Sequence, residues 1–344
     1  MTIEQELKLH VPKDFRQAVK EAVNTTTAET IHLHAFYFDT PGRELARAGI
    51  ALRLRKEQGI WIQTIKLPGD DSLSKIEYNH PRPEATLDLD LYAGTPAEKA
   101  FSELSEALET RFETDIQRTL RLQESSDSVI ELAFDIGTIR SGSLEIPVCE
   151  LEFELKEGSS AAIFNLAEVW QQQHHFILDF RSKAERGDTL ANAVREATQL
   201  DSSFKLWRAW EASDSGLKLV KDAAPSVKKD LQAYIEQVAR NAAIIAGIDR
   251  VDIDNTLVLD LSKHRQFLIA ALEKIQLLCS SPNNATAKDR VPEMLIQQLQ
   301  QYHHELSAIS STAAQQQVTE LVSSADFQQW LLKIYAWTIT GLAH

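Results

Sequence analysis

A chain of 344 residues is long enough for two domains of ordinary size, and 43% hydrophobic with 25% charged residues is the make-up of a globular protein. A net charge of −14 argues against a general nucleic-acid binder, which carries a basic footprint. No run of about 18 apolar residues occurs and Glu4, Glu6 and Lys8 break up the N-terminus, so neither a membrane span nor a leader is expected. Cys149 and Cys279 are too few and too far apart for a disulfide framework, and a reducing cytoplasm is the expected setting.

In chain order, strands are expected at 2–10, 33–39, 50–57, 60–67, 74–79, 114–122, 128–136 and 146–157, with turns at Pro41-Gly42, Gly59, Pro68-Gly69 and Gly137. That is enough strand to close a small barrel. Short helices are expected at 12–23, 43–48, 97–108 and 161–174, a further helix from Asn192 to Ala212, and a linker from Ser213 to Ser226. Beyond it the apolar spacing turns helical. Val227, Leu231, Tyr234, Val238, Ala242 and Ile245 form one stripe; a second runs from Leu257 through His264 to Leu278. Leu295, Leu299, Tyr302, Leu306 and Ile309 form a third, and Phe327, Trp330, Leu331, Ile334 and Trp337 a fourth. These stripes predict a bundle over 213–344, with a polar loop around Ser280 to Asp289.

The strands carry charge in an unusual way. Residues i, i+2 and i+4 of a strand share a face. Glu4, Glu6 and Lys8 share one, with Ile3, Leu7 and Leu9 opposite. Arg53 and Arg55 alternate with Leu52 and Leu54, and Glu150, Glu152 and Glu154 with Leu151, Phe153 and Leu155. Lys75 is in phase with Glu77, and Glu131 with Asp135. A single such strand is an ordinary solvated face. A set of them, acidic on the first and last strands and cationic between, predicts apolar faces packed outward under helices and a charged interior. Carboxylates at that density would repel one another, and a divalent cation beside a polyanion resolves the conflict.

Glu4-Gln5-Glu6-Leu7-Lys8 resembles the ExExK signature of the CYTH, or triphosphate tunnel metalloenzyme, superfamily. The likeness continues in order through Tyr37-Phe38-Asp39-Thr40, Leu52-Arg53-Leu54-Arg55, Thr64-Ile65-Lys66, Lys75-Ile76-Glu77, Arg118, Glu131 to Gly137, Glu150 to Leu155 and Ser182-Lys183-Ala184-Glu185-Arg186-Gly187. The last segment is similar to the one closing the domain in bacterial inorganic triphosphatases. The resemblance implies an α+β chain: an eight-stranded antiparallel tunnel open at both ends with flanking helices over residues 1–200, then an all-α bundle. It implies that Lys8, Arg53, Arg55, Lys66, Lys75, Arg118 and Lys183 grip a small polyanionic triphosphate, with Lys8, Arg53 and Arg55 catalytic. Glu4, Glu6, Glu77, Asp135, Glu150 and Glu152 would be ligands or near neighbours of Mg²⁺ or Mn²⁺. Glu131 and Glu154 share those faces as structural or outer groups, and Arg140 and Arg186 are expected in salt bridges.

The implied activity is metal-dependent hydrolysis of inorganic triphosphate to pyrophosphate and phosphate. Alternatives are a thiamine- or nucleoside-triphosphate hydrolase, an adenylate cyclase of the CYTH class, and a non-enzymatic polyphosphate- or partner-binding module. No Walker-type phosphate loop or Ser-His-Asp arrangement competes with these. In position the helical half resembles a CHAD domain, but it lacks that domain's Arg-rich repeats, so a reduced CHAD-like or unrelated bundle is expected. His264, on an apolar stripe, is expected as a satisfied core histidine, and His174-His175 as exposed.

Overall fold

The computed structural model describes residues 1–195, 227–249, 261–280, 291–309 and 314–341. The expected helix beyond Arg195, the linker Ser213 to Ser226, Leu257 and most of the polar loop after Ser280 lie outside them. The first part is built from β1 (Thr2–His10), α1 (Arg16–Val23), β2 (Glu29–Asp39), α2 (Glu44–Arg47), β3 (Ala51–Glu57), β4 (Ile60–Pro68), β5 (Ser74–Arg82) and α3 (Glu98–Ser102). It continues with β6 (Glu109–Glu124), β7 (Val129–Ser141), β8 (Leu144–Glu157), α4 (Ser160–His174), β9 (Ile177–Leu178) and α5 (Lys183–Arg195). The helical part comprises α6 (Val227–Ile245), α7 (Leu261–Ser280), α8 (Glu293–Ala308), α9 (Ala314–Ser323) and α10 (Ala325–Thr340).

The strands run antiparallel in the order β5-β4-β3-β2-β6-β7-β8-β1, and β1 pairs back onto β5 from Thr2↔Glu77 to Gln5↔Ser74. That pairing closes an eight-stranded barrel. Closure leaves no free edge along those strands, as full barrels require. The short β9 adds to β1 through Leu9↔Leu178 and His10↔Ile177.

Alternation sorts the side chains as expected. Leu7, Leu9, Leu132, Phe134, Leu151 and Phe153 point outward and are buried beneath α1, α4 and the helical part. Their cluster is continuous with Leu231, Ile235, Leu268, Leu299 and Trp330, so barrel exterior and bundle interior share one apolar core. Polar contacts pin the same seam. Tyr335 and Gln232 both reach the Ser72 hydroxyl, at 2.6 and 2.5 Å, and the Leu178 N–H donates to the Gln328 side-chain oxygen Oε1 at 2.9 Å.

Five expectations change. Gly137, expected as a turn, is paired within β7 with Ile116 and Val148. Helix α5 begins at Lys183, ahead of the helix expected from Asn192. The helix expected at 97–108 is only five residues long, Glu98–Ser102, and irregular chain leads from it to β6 at Glu109. His174 is buried, its ring beside Trp170 and Phe176, where exposure was expected. The tunnel is not an open pipe at both ends, because α5 sits inside it. Leu190 and Ala191 of that helix pack against Leu33, Ala35, Tyr37 and Ile116, which line the inner wall. Gly187 permits the approach: a Cβ there would come within 2.2 Å of the Phe112 ring.

Candidate active site

Inside the barrel lies a cavity of about 430 Å³. Eight carboxylates line it (Glu4, Glu6, Glu57, Glu77, Glu131, Asp135, Glu152 and Glu154), facing eight cations (Lys8, Arg53, Arg55, Lys66, Lys75, Arg118, Lys156 and Lys183). All seven phosphate contacts expected from the sequence therefore meet in one chamber. Of the six expected metal ligands, five line it; Glu150 is buried just behind, against Lys183 and Arg186.

The charges are arranged in two groups. On the wall of β6, β7 and β8, Arg118 forks onto Asp135 with two bonds of 2.7 Å and reaches Glu152 at 2.5 Å. The Lys183 ammonium contacts Asp135 at 2.6 Å, Glu150 at 2.5 Å and Glu152 at 2.9 Å. Burial works against these ions, yet the carboxylates around them hold the pKa values of Arg118 and Lys183 well above their ordinary values. Burial would raise Glu152, but Lys183, Arg118 and Lys8 outweigh it and hold the carboxyl well below the usual range. Burial prevails at Glu150, whose pKa is raised despite Lys183 and Lys8.

Across the cavity the pairing is incomplete. Lys66 bridges Glu4 at 2.8 Å and Glu77 at 2.6 Å, while Arg53 is 3.7 Å from Glu77 and donates a long 3.5 Å bond to the Tyr37 hydroxyl. Among the described residues Arg55 meets only Glu57, at 2.8 Å. The buried Nε atoms of both arginines have no hydrogen-bond partner among those residues either. The Arg53 charge, with burial, depresses the Arg55 pKa to about 10. Two guanidinium groups that repel each other and keep unused donors could take up an anion.

The acidic counterpart lies where β1 meets β8. Glu6 stands opposite Glu154, and Glu154 opposite Glu131 across β7. Burial, together with Glu4 and Glu131, raises the Glu154 pKa although Lys156 lies 2.7 Å away. Asp135, Glu150 and Glu152 bring carboxylate oxygens within 4.8 Å of one another, a spacing that could hold a metal ion. The donors are all hard oxygens, so the set fits a hard divalent cation rather than a thiolate-seeking metal.

Residues 2–187, more than half of the chain, match the CYTH domain family. The chain belongs to that family. An inorganic triphosphatase of Haemophilus influenzae is 34% identical to this CYTH protein over 171 residues, 48% of this chain and 47% of that one. The chain thus spans about half the length of the relative it matches. Among solved structures, a Hippeastrum protein described as having a dominant triphosphatase activity is 14% identical, with a TM-score of 0.38 over 52% of this chain and 91% of its own. The PH1012 protein of Pyrococcus horikoshii is 15% identical, with a TM-score of 0.35 over 53% and 98%. Both scores are low, and the architecture stands on the strand register instead.

Several site residues escaped the sequence reading. Lys156 was legible, since it continues the period of two from Glu150 to Glu154 and meets Glu131 and Glu154. Tyr37 lay in a recognised segment but without a role. Asp179, Arg181 and Asp249 gave no signal at all. Arg140, exposed between Glu113 and Glu145, and the buried Arg186 are salt-bridged as expected. Among the described residues no helix is long and apolar enough to cross a membrane.

Proposed function

We propose that the chain is a metal-dependent hydrolase of inorganic triphosphate. The observation that carries the reading is the pair Arg53 and Arg55, half-buried in the cavity wall with buried Nε donors that have no partner among the described residues, in a lining shared with eight carboxylates. Lys8, Lys66, Lys75, Arg118 and Lys183 complete a ring of cations for a phosphate chain held lengthwise. Phosphoryl transfer demands mainly positioning and charge neutralisation, and these side chains supply both from rigid strands. Glu4, Glu6, Glu77, Asp135, Glu150 and Glu152 would hold Mg²⁺ or Mn²⁺, which supplies a Lewis acid for the phosphoanhydride and an acidified water. The similarity to the Haemophilus influenzae inorganic triphosphatase supports the inorganic substrate.

A second reading rests on a neighbouring chamber of about 600 Å³, which shares Tyr37, Gly49, Ala51, Ser182 and Ala184 with the tunnel cavity. The stacked rings of Tyr37 and Phe112, 4.5 Å apart, line it and would suit the organic part of a nucleoside or thiamine triphosphate. Phosphate release from tripolyphosphate, ATP, thiamine triphosphate and long-chain polyphosphate separates the two. Tripolyphosphate is expected to show the highest kcat/KM. A preference for ATP or thiamine triphosphate would transfer the assignment to the second chamber, and release from none of the four would leave a binding module.

A further inference from the structure

The helical part meets the wall behind the active site at Asp249. Helix α6 ends at Ile245, and Gly247, at φ 100°, reverses the chain. Ile248 is then buried against Ala243 and Ile177 of β9, which fixes the turn to the strand beside β1. The next residue, Asp249, adopts φ 67°, a conformation that Asp and Asn tolerate better than most residues. Its carboxylate faces two arginines. One oxygen accepts from Arg186 Nη2 at 2.6 Å and Nε at 2.9 Å, and the other meets Arg181 Nη1 at 2.8 Å.

From there the charges alternate without a break. Arg186 reaches Glu150 Oε2 at 3.2 Å and the Pro147 carbonyl at 2.8 Å. The other Glu150 oxygen takes Lys183, which in turn meets Glu152 and Asp135. Asp179 occupies the far side of Arg181. The Arg186 side chain is only 1% exposed and that of Asp249 11%, so water cannot replace a lost partner.

We propose that Asp249 is a positioning residue for the tunnel, anchoring Glu150 through Arg186 and thereby setting where Glu150 and Lys183 stand toward substrate. The proposal rests on the triphosphatase reading of the cavity. If the Asp249 charge is removed, Arg186 keeps a single carboxylate partner, Glu150, which is drawn toward it and away from Lys183. The helical part is then a component of the active site, beyond its role as cover for the apolar strand faces.

The test compares the full chain with Asp249→Asn, which keeps shape and backbone preference, and Asp249→Glu, which keeps charge. Two readings are taken: kcat and KM for tripolyphosphate with Mg²⁺, and hydrogen exchange along β8 and residues 179–183. For Asp249→Asn, KM is expected to rise about fivefold or more and kcat to fall about tenfold, with faster exchange around Glu150 and unchanged exchange in α7 and α8. Asp249→Glu is expected to recover most of both. Kinetics within twofold of the parent with unaltered exchange would overturn the proposal. So would a lower kcat at constant KM that the Glu variant does not recover, the mark of a smaller folded fraction. If the parent releases no phosphate from tripolyphosphate, the triphosphatase reading falls and exchange alone decides: acceleration confined to β8 and residues 179–183 supports the relay, and no change overturns it. Should Asp249→Asn fail to fold, Arg186→Lys, which loses the fork between Asp249 and Glu150, is judged by the same two readings.

Discussion

The barrel and the helical bundle solve the interior in opposite ways. In the bundle the centre is apolar: Leu268, Ala271, Leu272, Ile275, Leu299 and Trp330 are buried together. Two polar groups in that centre are satisfied, His264 by Asn241 at 2.8 Å and the Trp330 N–H by the Leu295 carbonyl at 3.0 Å. In the barrel the set with Leu7, Leu132 and Phe153 points outward, an inner apolar cluster around Leu33, Ile116 and Leu190 packs against α5, and the chamber beside it holds eight carboxylates and eight cations. Buried ion pairs rarely stabilise a fold beyond what apolar residues of the same size would. The bundle therefore has the interior of a structural element. The barrel keeps an interior that folding alone would not select, and its incomplete pairings are the ones that the proposed substrate would complete.

The sharpest break between the two interiors is at Glu6, which makes no ion pair within 4 Å among the described residues and stands opposite Glu154. Glu6→Gln is expected to lower kcat/KM for tripolyphosphate on the order of 100-fold, and EDTA to remove activity at least as completely. Thermal stability should be unchanged or higher, since one of several repelling carboxylates is neutralised. A variant with full turnover, or an EDTA-treated enzyme that still works, would remove the carboxylates from the mechanism.

The same contrast can be read as a pair of substitutions with opposite signatures. Leu268→Ala in the bundle should cost about 2–5 kcal/mol of stability through loss of packing, with KM unchanged. Arg55→Ala in the barrel should leave stability equal or better, because it relieves the repulsion from Arg53 that depresses the Arg55 pKa. Its kcat/KM should fall roughly 10- to 100-fold, the worth of a charge-assisted contact of about 1.5–3 kcal/mol. Lysine at position 55 should recover only part, for want of the planar fork. If Arg55→Ala lost stability and kept activity, the two interiors would not differ in kind.

Legibility follows the same divide. Alternating charge exposed the tunnel wall because strand periodicity needs only nearest neighbours, and Glu4, Glu6 and Lys8 declare their face without knowledge of partners. Closure of β1 onto β5 is a pairing across about seventy residues and has no local signature. Helix α5 was misplaced because Lys183–Arg195 offers few large apolar residues; it packs inside the barrel through Ala184, Leu190 and Ala191, and needs Gly187 for clearance. Asp249 was illegible for a different reason. It is one acid in an acidic stretch, and only the turn after α6 gives it two arginines.

The smallest expected effect concerns His10, on the same face of β1 as Glu4, Glu6 and Lys8. Burial first, then the charges of Arg186 and Arg16, lower its pKa to about 3, although Asp179 and Asp249 oppose them. An unfolded chain takes up that proton near pH 6.5. Between the two values the unfolded state binds the proton and the folded state does not, so stability rises with pH across this window. Falling pH below about 6 should thus cost roughly 1 kcal/mol per unit from this group until about pH 3. Urea unfolding at pH 7, 6 and 5 measures the slope, and His10→Gln should flatten it by that amount. An unchanged slope would show that His10 is not held neutral in the fold. A flattened one would set His10 beside the Asp249–Arg186 contact as a second point at which the barrel's ionic interior is sensitive to its surroundings.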